Sequence, residues 1–253
     1  MDIGVWGFFS RCLFEEFRTE PDAEMLAEHG LSAEVAALYG KWTHVIKPFA
    51  MNEGQYRTWP IYRSYDFGSA RPWAVGYYTV DPDGVIYRIM EVYGSTGVPN
   101  EGNRWTPDQQ FKYLQELETT HPWLAGRFIQ GVADPSIWDG SRGISIAETA
   151  EKYGIYFSPG DNDRIPGLMQ CRYRLQFDEN GRARFYCFDT CKEFIRTIPL
   201  QIYDDVKVED INTDGEDHIC DEWRYFCQSR PIAPMRPVEK SVIMSDPLNQ
   251  FKR

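Results

Sequence analysis

Three consecutive strand-like runs, mostly apolar with few polar breaks, stand between Ile61 and Gly94. They are "IYRSYDFG", "PWAVGYYTVD" and "GVIYRIMEVYG", rich in Tyr, Ile and Val, and the last two are joined by the tight-turn signal "DPDG". This predicts a meander of three antiparallel strands. After Pro107 the period becomes helical, with Phe111, Leu114 and Leu117 at i, i+3 and i+6 and Thr106 available as the cap. "GRFIQGVADPS" predicts a short strand ending at Asp134, "SIAETAEKYG" a helix closed by Gly154, and "IYFSPGDN" a brief strand and loop. A helix over Ile165 to Phe177, a strand in "RARFYCF", a helix in "TCKEFIRTI" and a last helix in "GEDHICDEWRYFCQS" follow.

Upstream of the meander, "TEPDAEMLAEHG" and "LSAEVAALYG" each suggest a short helix, ended by Gly30 and Gly40, the second opened by Ser32. Beyond Arg230 the proline-rich "RPIAPMRPVEKSVIMSDP" predicts an extended tail. The expected organisation is a helical appendage or linker remnant over 1–42, one domain over 43–230, and the tail over 231–253. Meander strands followed by alternating helix and strand give an α/β fold, a mixed sheet with later strands parallel and helices on both faces. Acids at the end of the first strand, at a later strand end and on a late helix match the layout of an RNase H-like domain.

Four acids stand out by position. Asp66 ends the first meander strand before Phe67 and Gly68, and Asp134 ends a strand before Pro135. Asp217 and Asp221, spaced i, i+4, share a helix face with His218 beside Asp217. Two like charges at that spacing repel, and a divalent cation reverses the sign. If this face lies against the strand ends, the oxygens converge on one or two hard metal ions suited to phosphodiester hydrolysis. Taken singly, each acid also has a structural reading: Asp66 and Asp134 as turn residues, Asp217 as a partner of the helix dipole, and His218 as a structural histidine. Glu91, on the third strand, would face the same site or solvent.

Composition changes the picture only in part. The 253 residues carry a formal charge of -11, which argues against coating nucleic acid through overall charge but suits a cation-holding site. That charge is uneven: Gln201 to Cys227 holds nine acids against Lys207 and Arg224, whereas Asp161 to Leu200 holds seven bases against six acids. The basic stretch offers Arg164, Arg172, Arg174 and Lys192 as phosphate contacts, although ordinary solvated bases look the same in sequence. Six cysteines without a CxxC pair, no secretory signal and no membrane-length apolar run predict free thiols in a reducing cytoplasm, with no membrane partner. A zinc site from Cys187, Cys191 and His218 lacks a second paired motif. "DINTDGEDHICDE" approaches a calcium loop, with Asp210, Asn212 and Asp214 as ligands, Gly215 at the turn and Asp221 at position twelve. The preceding "IPLQIYDDVKVE" is strand-like, though, and supplies no entering helix.

The stretches "HVIKPF", "YRSYDFG", "DPDGVIYRIMEVYG", "VADPSIW", "FSPGDNDRIPGLMQ", "DTCKEFIRTIPL" and "VEDINTDGEDHICDEWRYF" together resemble the C-terminal nuclease domain of phage terminase large subunits, from about Thr43 to about Pro234. The resemblance implies an RNase H-like fold and an endonuclease that cuts concatemeric double-stranded DNA with two divalent cations, Mg2+ or Mn2+. It assigns Asp66, Asp134, Asp217 and Asp221 as the metal-binding acids, with His218 adjacent. It also implies a packaging ATPase domain, the small terminase subunit and the portal as partners, in the cytoplasm of a bacterial host. The GxxxxGK[ST] loop of the family's ATPase does not occur here. The resemblance therefore implies the nuclease half alone, from an isolated domain, a split gene or a prophage remnant. The alternatives are a non-catalytic docking module of the packaging motor and a cellular RNase H-like nuclease or resolvase.

Overall fold

The Tyr-, Ile- and Val-rich runs form the meander that their composition and the DPDG turn predict. In the computed structural model, which describes residues 12–141 and 143–233, an edge strand β1 (Val45–Ile46) is followed by β2 (Ile61–Asp66), β3 (Ala74–Val80) and β4 (Ile86–Tyr93). The last three pair antiparallel in sequence order. Asp81 closes the β3–β4 turn by accepting the amides of Asp83 and Val85, both at 2.9 Å. Gly84 takes the left-handed φ of +82° there, which a side chain would resist. Strands β5 (Ile129–Ala133), β6 (Ser158–Pro159) and β7 (Phe185–Phe188) extend the sheet to the order β1-β7-β4-β3-β2-β5-β6. Among the described residues β3 alone runs against the others. The expected α/β fold, an RNase H-like mixed sheet with helices on both faces, is the observed one.

Seven helices accompany the sheet among the described residues: α1 (Ala23–His29), α2 (Ala33–Tyr39), α3 (Pro107–Thr120), α4 (Ile146–Glu151), α5 (Arg164–Leu175), α6 (Lys192–Thr197) and α7 (His218–Gln228). Local chemistry sets their ends. Gly30 and Gly40 close α1 and α2 with φ of +63° and +62°, Ser32 opens α2, and Thr106 with Gln109 forms a capping box on α3. The strand β1 comes from a segment whose sequence predicts no element; it docks on β7 with Val45 opposite Cys187. Residues 1–11, and most of the expected tail, 234–253, lie outside the described residues.

Alternation along β2 assigns the two faces of the sheet. On one face Tyr65 donates to Gln110 of α3 at 2.7 Å, and Arg63 pairs with Glu118 of α3. Ser64 and Asp66 point the other way, towards α7. There a fully buried ion pair joins Arg88 of β4 to Glu222 of α7. Tyr78 of β3 donates to the same carboxylate at 2.9 Å, and Ser64 donates to the Glu222 backbone carbonyl at 2.5 Å. All three central strands therefore grip one residue of α7. Gly76 makes room for the grip, since a Cβ there would stand 2.5 Å from Arg88 Nη1 and 2.6 Å from Glu222 Oε1. Phe226, one turn on, stacks on Tyr78 with ring centroids 4.1 Å apart.

Glu91 belongs to the same network. Its carboxylate meets Arg88 at 3.3 Å and accepts the Glu193 and Phe194 amides at 2.7 and 3.1 Å, so it caps α6. The N-terminal segment is tied in separately. Phe14 and Phe17 pack on Trp223 and Phe194, while Leu26, Ala36 and Trp42 form a small cluster of their own. Fully buried His44 links the two regions: its Nδ1 accepts the Arg18 amide and its Nε2–H donates to Leu175 O, both at 2.9 Å.

This packing sets two expectations. Glu222→Ala leaves a buried guanidinium short of its main partner and is expected to cost about 3–5 kcal/mol, with Gly76→Ala costing about 1–3 kcal/mol through overpacking. Urea unfolding of each variant checks the order, and a harmless Gly76→Ala would refute the space argument. Burial pushes His44 down to about 3, despite its two backbone hydrogen bonds. The unfolded chain takes that proton nearer pH 6.5, so the stability His44 contributes above that pH is lost as pH falls towards 3. Between pH 6 and 4 the parent should lose about 1.4 kcal/mol per pH unit more than His44→Gln. Parallel curves in urea titrations would remove His44 from the acid response.

Candidate active site

Anchoring Glu222 on Ser64 fixes what stands at the sheet edge. One helical turn back along α7 is a rise of about 5.4 Å, and two residues forward along β2 span about 6.6 Å, so His218 meets Asp66. Its Nδ1–H donates to Asp66 Oδ2 at 3.0 Å. Asp134 stands beside Asp66 because β5 runs parallel to β2, and its amide donates to Tyr65 O at 3.2 Å. Asp217 is the N-cap residue of α7, yet its side chain makes no capping bond, and Asp221 follows one turn later. Asp66, Asp217 and Asp221 are all less than a tenth exposed.

The crowded corner raises the cost of ionising Asp66 and Asp217. Burial lifts the Asp66 carboxyl to about 7, and the charges of Asp221 and Asp134 add to the rise while His218 opposes it. Burial and then Asp221 raise Asp217. Burial disfavours a charged His218, but Asp66, Asp217 and Asp221 outweigh it and raise its pKa.

Asp134 and Asp221 are each engaged by a neighbour. Asp134 Oδ1 accepts the Ser136 amide at 2.7 Å. Asp221 Oδ1 accepts from buried Arg224 Nε at 3.0 Å, while Oδ2 faces the half-exposed Arg164 at 3.6 Å. Among the described residues no three His, Cys, Asp or Glu side chains close on one point that would hold an ion. The donor set nonetheless fits hard divalent cations: it is all carboxylate oxygen, and its charge exceeds what His218, Arg164 and Arg224 offset.

Neither a protein-family model nor a curated protein matches the sequence. Solved structures do. The large terminase from a thermophilic bacteriophage superimposes with a TM-score of 0.58 at 18% identity over 87% of this chain and 45% of that one. The P22 large terminase nuclease domain gives 0.55 at 18% identity over 74% of this chain and 87% of that one. The chain has the fold of a large terminase nuclease domain. It spans less than half of the thermophilic phage's protein and most of the isolated P22 domain.

In this terminase-nuclease fold the predicted residues Asp66, Asp134, Asp217, His218 and Asp221 all gather at one sheet edge. Glu91 does not join them and caps α6 instead. The phosphate-contact expectation needs a correction at Arg174, which is 1% exposed and donates to the Arg230 and Cys227 carbonyls at the end of α7. Arg172 pairs with Glu16 at 2.8 Å, Lys192 is exposed, and Arg164 reaches the acid corner. The zinc set is not gathered: Cys187 and Cys191 lie in the core around β7, and His218 pairs with Asp66. Before Asp210 the chain is a loop bridged at Tyr203 and Ile211, so the calcium-loop spelling has no entering helix.

Sequence reasoning missed two neighbours of the acids, Arg224 and Tyr225, and two residues that hold the approach to α7, Asn100 and Gln201. Arg224 lies three residues after Asp221 on the same helix face, a spacing that is visible in the sequence. Tyr225 lies over the corner and donates to Asn162 at 3.1 Å; burial raises its pKa first, and Asp221, Asp134 and Asp66 add to that. The approach to α7 is clamped by Asn100, which donates to Gly215 O at 3.0 Å, and by Gln201, which donates to Glu216 O at 2.8 Å.

Removing one charge from this corner should stabilise the metal-free chain. Asp66→Asn is expected to melt higher than the parent in EDTA at pH 8, by about 2–4 °C for each kcal/mol gained. A lower melting point would mean that the pairing with His218 outweighs the burial and repulsion.

Proposed function

We propose that the chain is a divalent-cation-dependent endonuclease that cuts double-stranded DNA during phage genome packaging. The observation that carries this reading is the meeting of Asp66 and Asp134, at neighbouring parallel strand ends, with Asp221, Asp217 and His218 on α7. The fold shared with large terminases supports the packaging context. Asp66 would be common to two ions, Mg2+ or Mn2+, with Asp134 holding one and Asp221 or Asp217 the other. Bound there, the cations supply Lewis acidity for a phosphodiester and acidify a water.

The chain's own groups have distinct tasks in this reading. Arg224 fixes the rotamer of Asp221, and the Ser136 amide fixes that of Asp134, so both carboxylates are oriented before substrate arrives. His218 holds Asp66 and is placed to pass a proton to or from solvent at its free Nε2. The ATPase domain, small subunit and portal would supply translocation and recruitment, for which this chain has no phosphate-cradling loop.

The test is cleavage of supercoiled plasmid by the purified chain with Mn2+, Mg2+, Ca2+ or EDTA. Nicking and linearisation are expected with Mn2+ or Mg2+ only, falling at least about a hundredfold in Asp66→Asn and Asp134→Asn, in keeping with loss of cation-dependent chemistry. Undiminished cutting by a folded Asp66→Asn would exclude this site. No cutting by the folded parent would favour a docking module.

A further inference from the structure

Two arginines touch Asp221, and they do so in different ways. Arg224 is 1% exposed, bonds Oδ1 at 3.0 Å, and sends Nη1 to Asp161 O at 3.3 Å, so it is fixed in place. Arg164 opens α5 with its side chain 31% exposed. It lies 3.6 Å from Asp221 Oδ2 and 3.7 Å from Asp210 Oδ1, close enough for attraction but too far for a hydrogen bond. Neither contact locks it, and one partner, Asp221, is an acid of the corner while the other, Asp210, lies in the acidic loop before α7.

We infer that Arg164 is the resident counter-charge of the acid corner, exchanged for a divalent cation and then free to bind a DNA phosphate. This rests on the cation-dependent reading of the site. With no ion bound, the corner keeps a cation of its own against Asp221 and Asp210. When an ion takes Asp221 Oδ2, the guanidinium is repelled from the same oxygen and leaves. Its half-exposed side chain has room to move, and the first turn of α5 puts it at the rim of the corner, where a phosphodiester bound to the ions would lie. Arg224 stays behind and keeps Asp221 oriented through Oδ1. Arg164 is thus a positioning residue in the empty site and a substrate contact in the loaded one.

The exchange has a sign that a structural role would not produce. A half-exposed pair contributes about 0.5–1 kcal/mol, so Arg164→Gln should tighten Mn2+ binding by about 2- to 5-fold in calorimetry on the full chain without DNA. Arg164→Lys should fall between, and Arg172→Gln, whose partner is Glu16, should change nothing. With Ca2+ present, Arg164→Gln should also lower the salt slope of DNA binding by about one. Unchanged or weaker Mn2+ binding in a folded Arg164→Gln would overturn the exchange, with the nuclease reading left standing. Equal tightening in Arg172→Gln would reduce the effect to long-range charge and overturn it too. An unchanged salt slope would remove the phosphate contact. A parent that binds no Mn2+ would overturn the cation reading and this inference with it.

Discussion

The buried pair between Arg88 and Glu222 is the constraint on which the rest depends. Two ions taken out of water are costly unless every donor and acceptor is met. Tyr78 and Glu91 meet most of them, and Gly76 leaves the volume they need. The result is that α7 cannot slide: a shift by one residue would bury Arg88 without a partner. Because Asp217, His218 and Asp221 ride on that helix, an interaction in the middle of the sheet decides what faces Asp66 at its edge.

Below the grip, rings of Phe226, Tyr78 and Tyr62 pack tightly. Above it, the molecule accepts unfavourable electrostatics. Asp66 is held under burial that favours its neutral form, beside acids that push the same way. The electrostatic cost is local and the scaffold beneath it is stiff, an arrangement common at preorganised sites.

Much of the fold was legible because it rests on short-range chemistry. The meander followed from its Tyr-, Ile- and Val-rich runs and the Asp81 turn, and α3 from its period and Thr106. The acids were legible because turn-forming neighbours, Gly68 after Asp66 and Pro135 after Asp134, mark strand ends. What stayed hidden was pairing across long separations. Arg88 and Glu222 lie 134 residues apart, and nothing local distinguishes them from surface charges. Arg174 looked like a solvated base because it stands beside Arg172 in a basic stretch, yet the end of α7 covers it. Glu91 looked like a free strand carboxylate until α6 arrived to be capped, and β1 is too short to leave a pattern.

The hydrogen bond between His218 and Asp66 spans 152 positions of the chain. The strand ends that carry Asp66 and Asp134 can form from the first part of the domain, but the corner stays half-built until α7 docks. During synthesis Asp66 and Asp134 are made well before the helix that brings Asp217, His218 and Asp221 to them. A chain whose last helix is not docked therefore carries no assembled acid cluster.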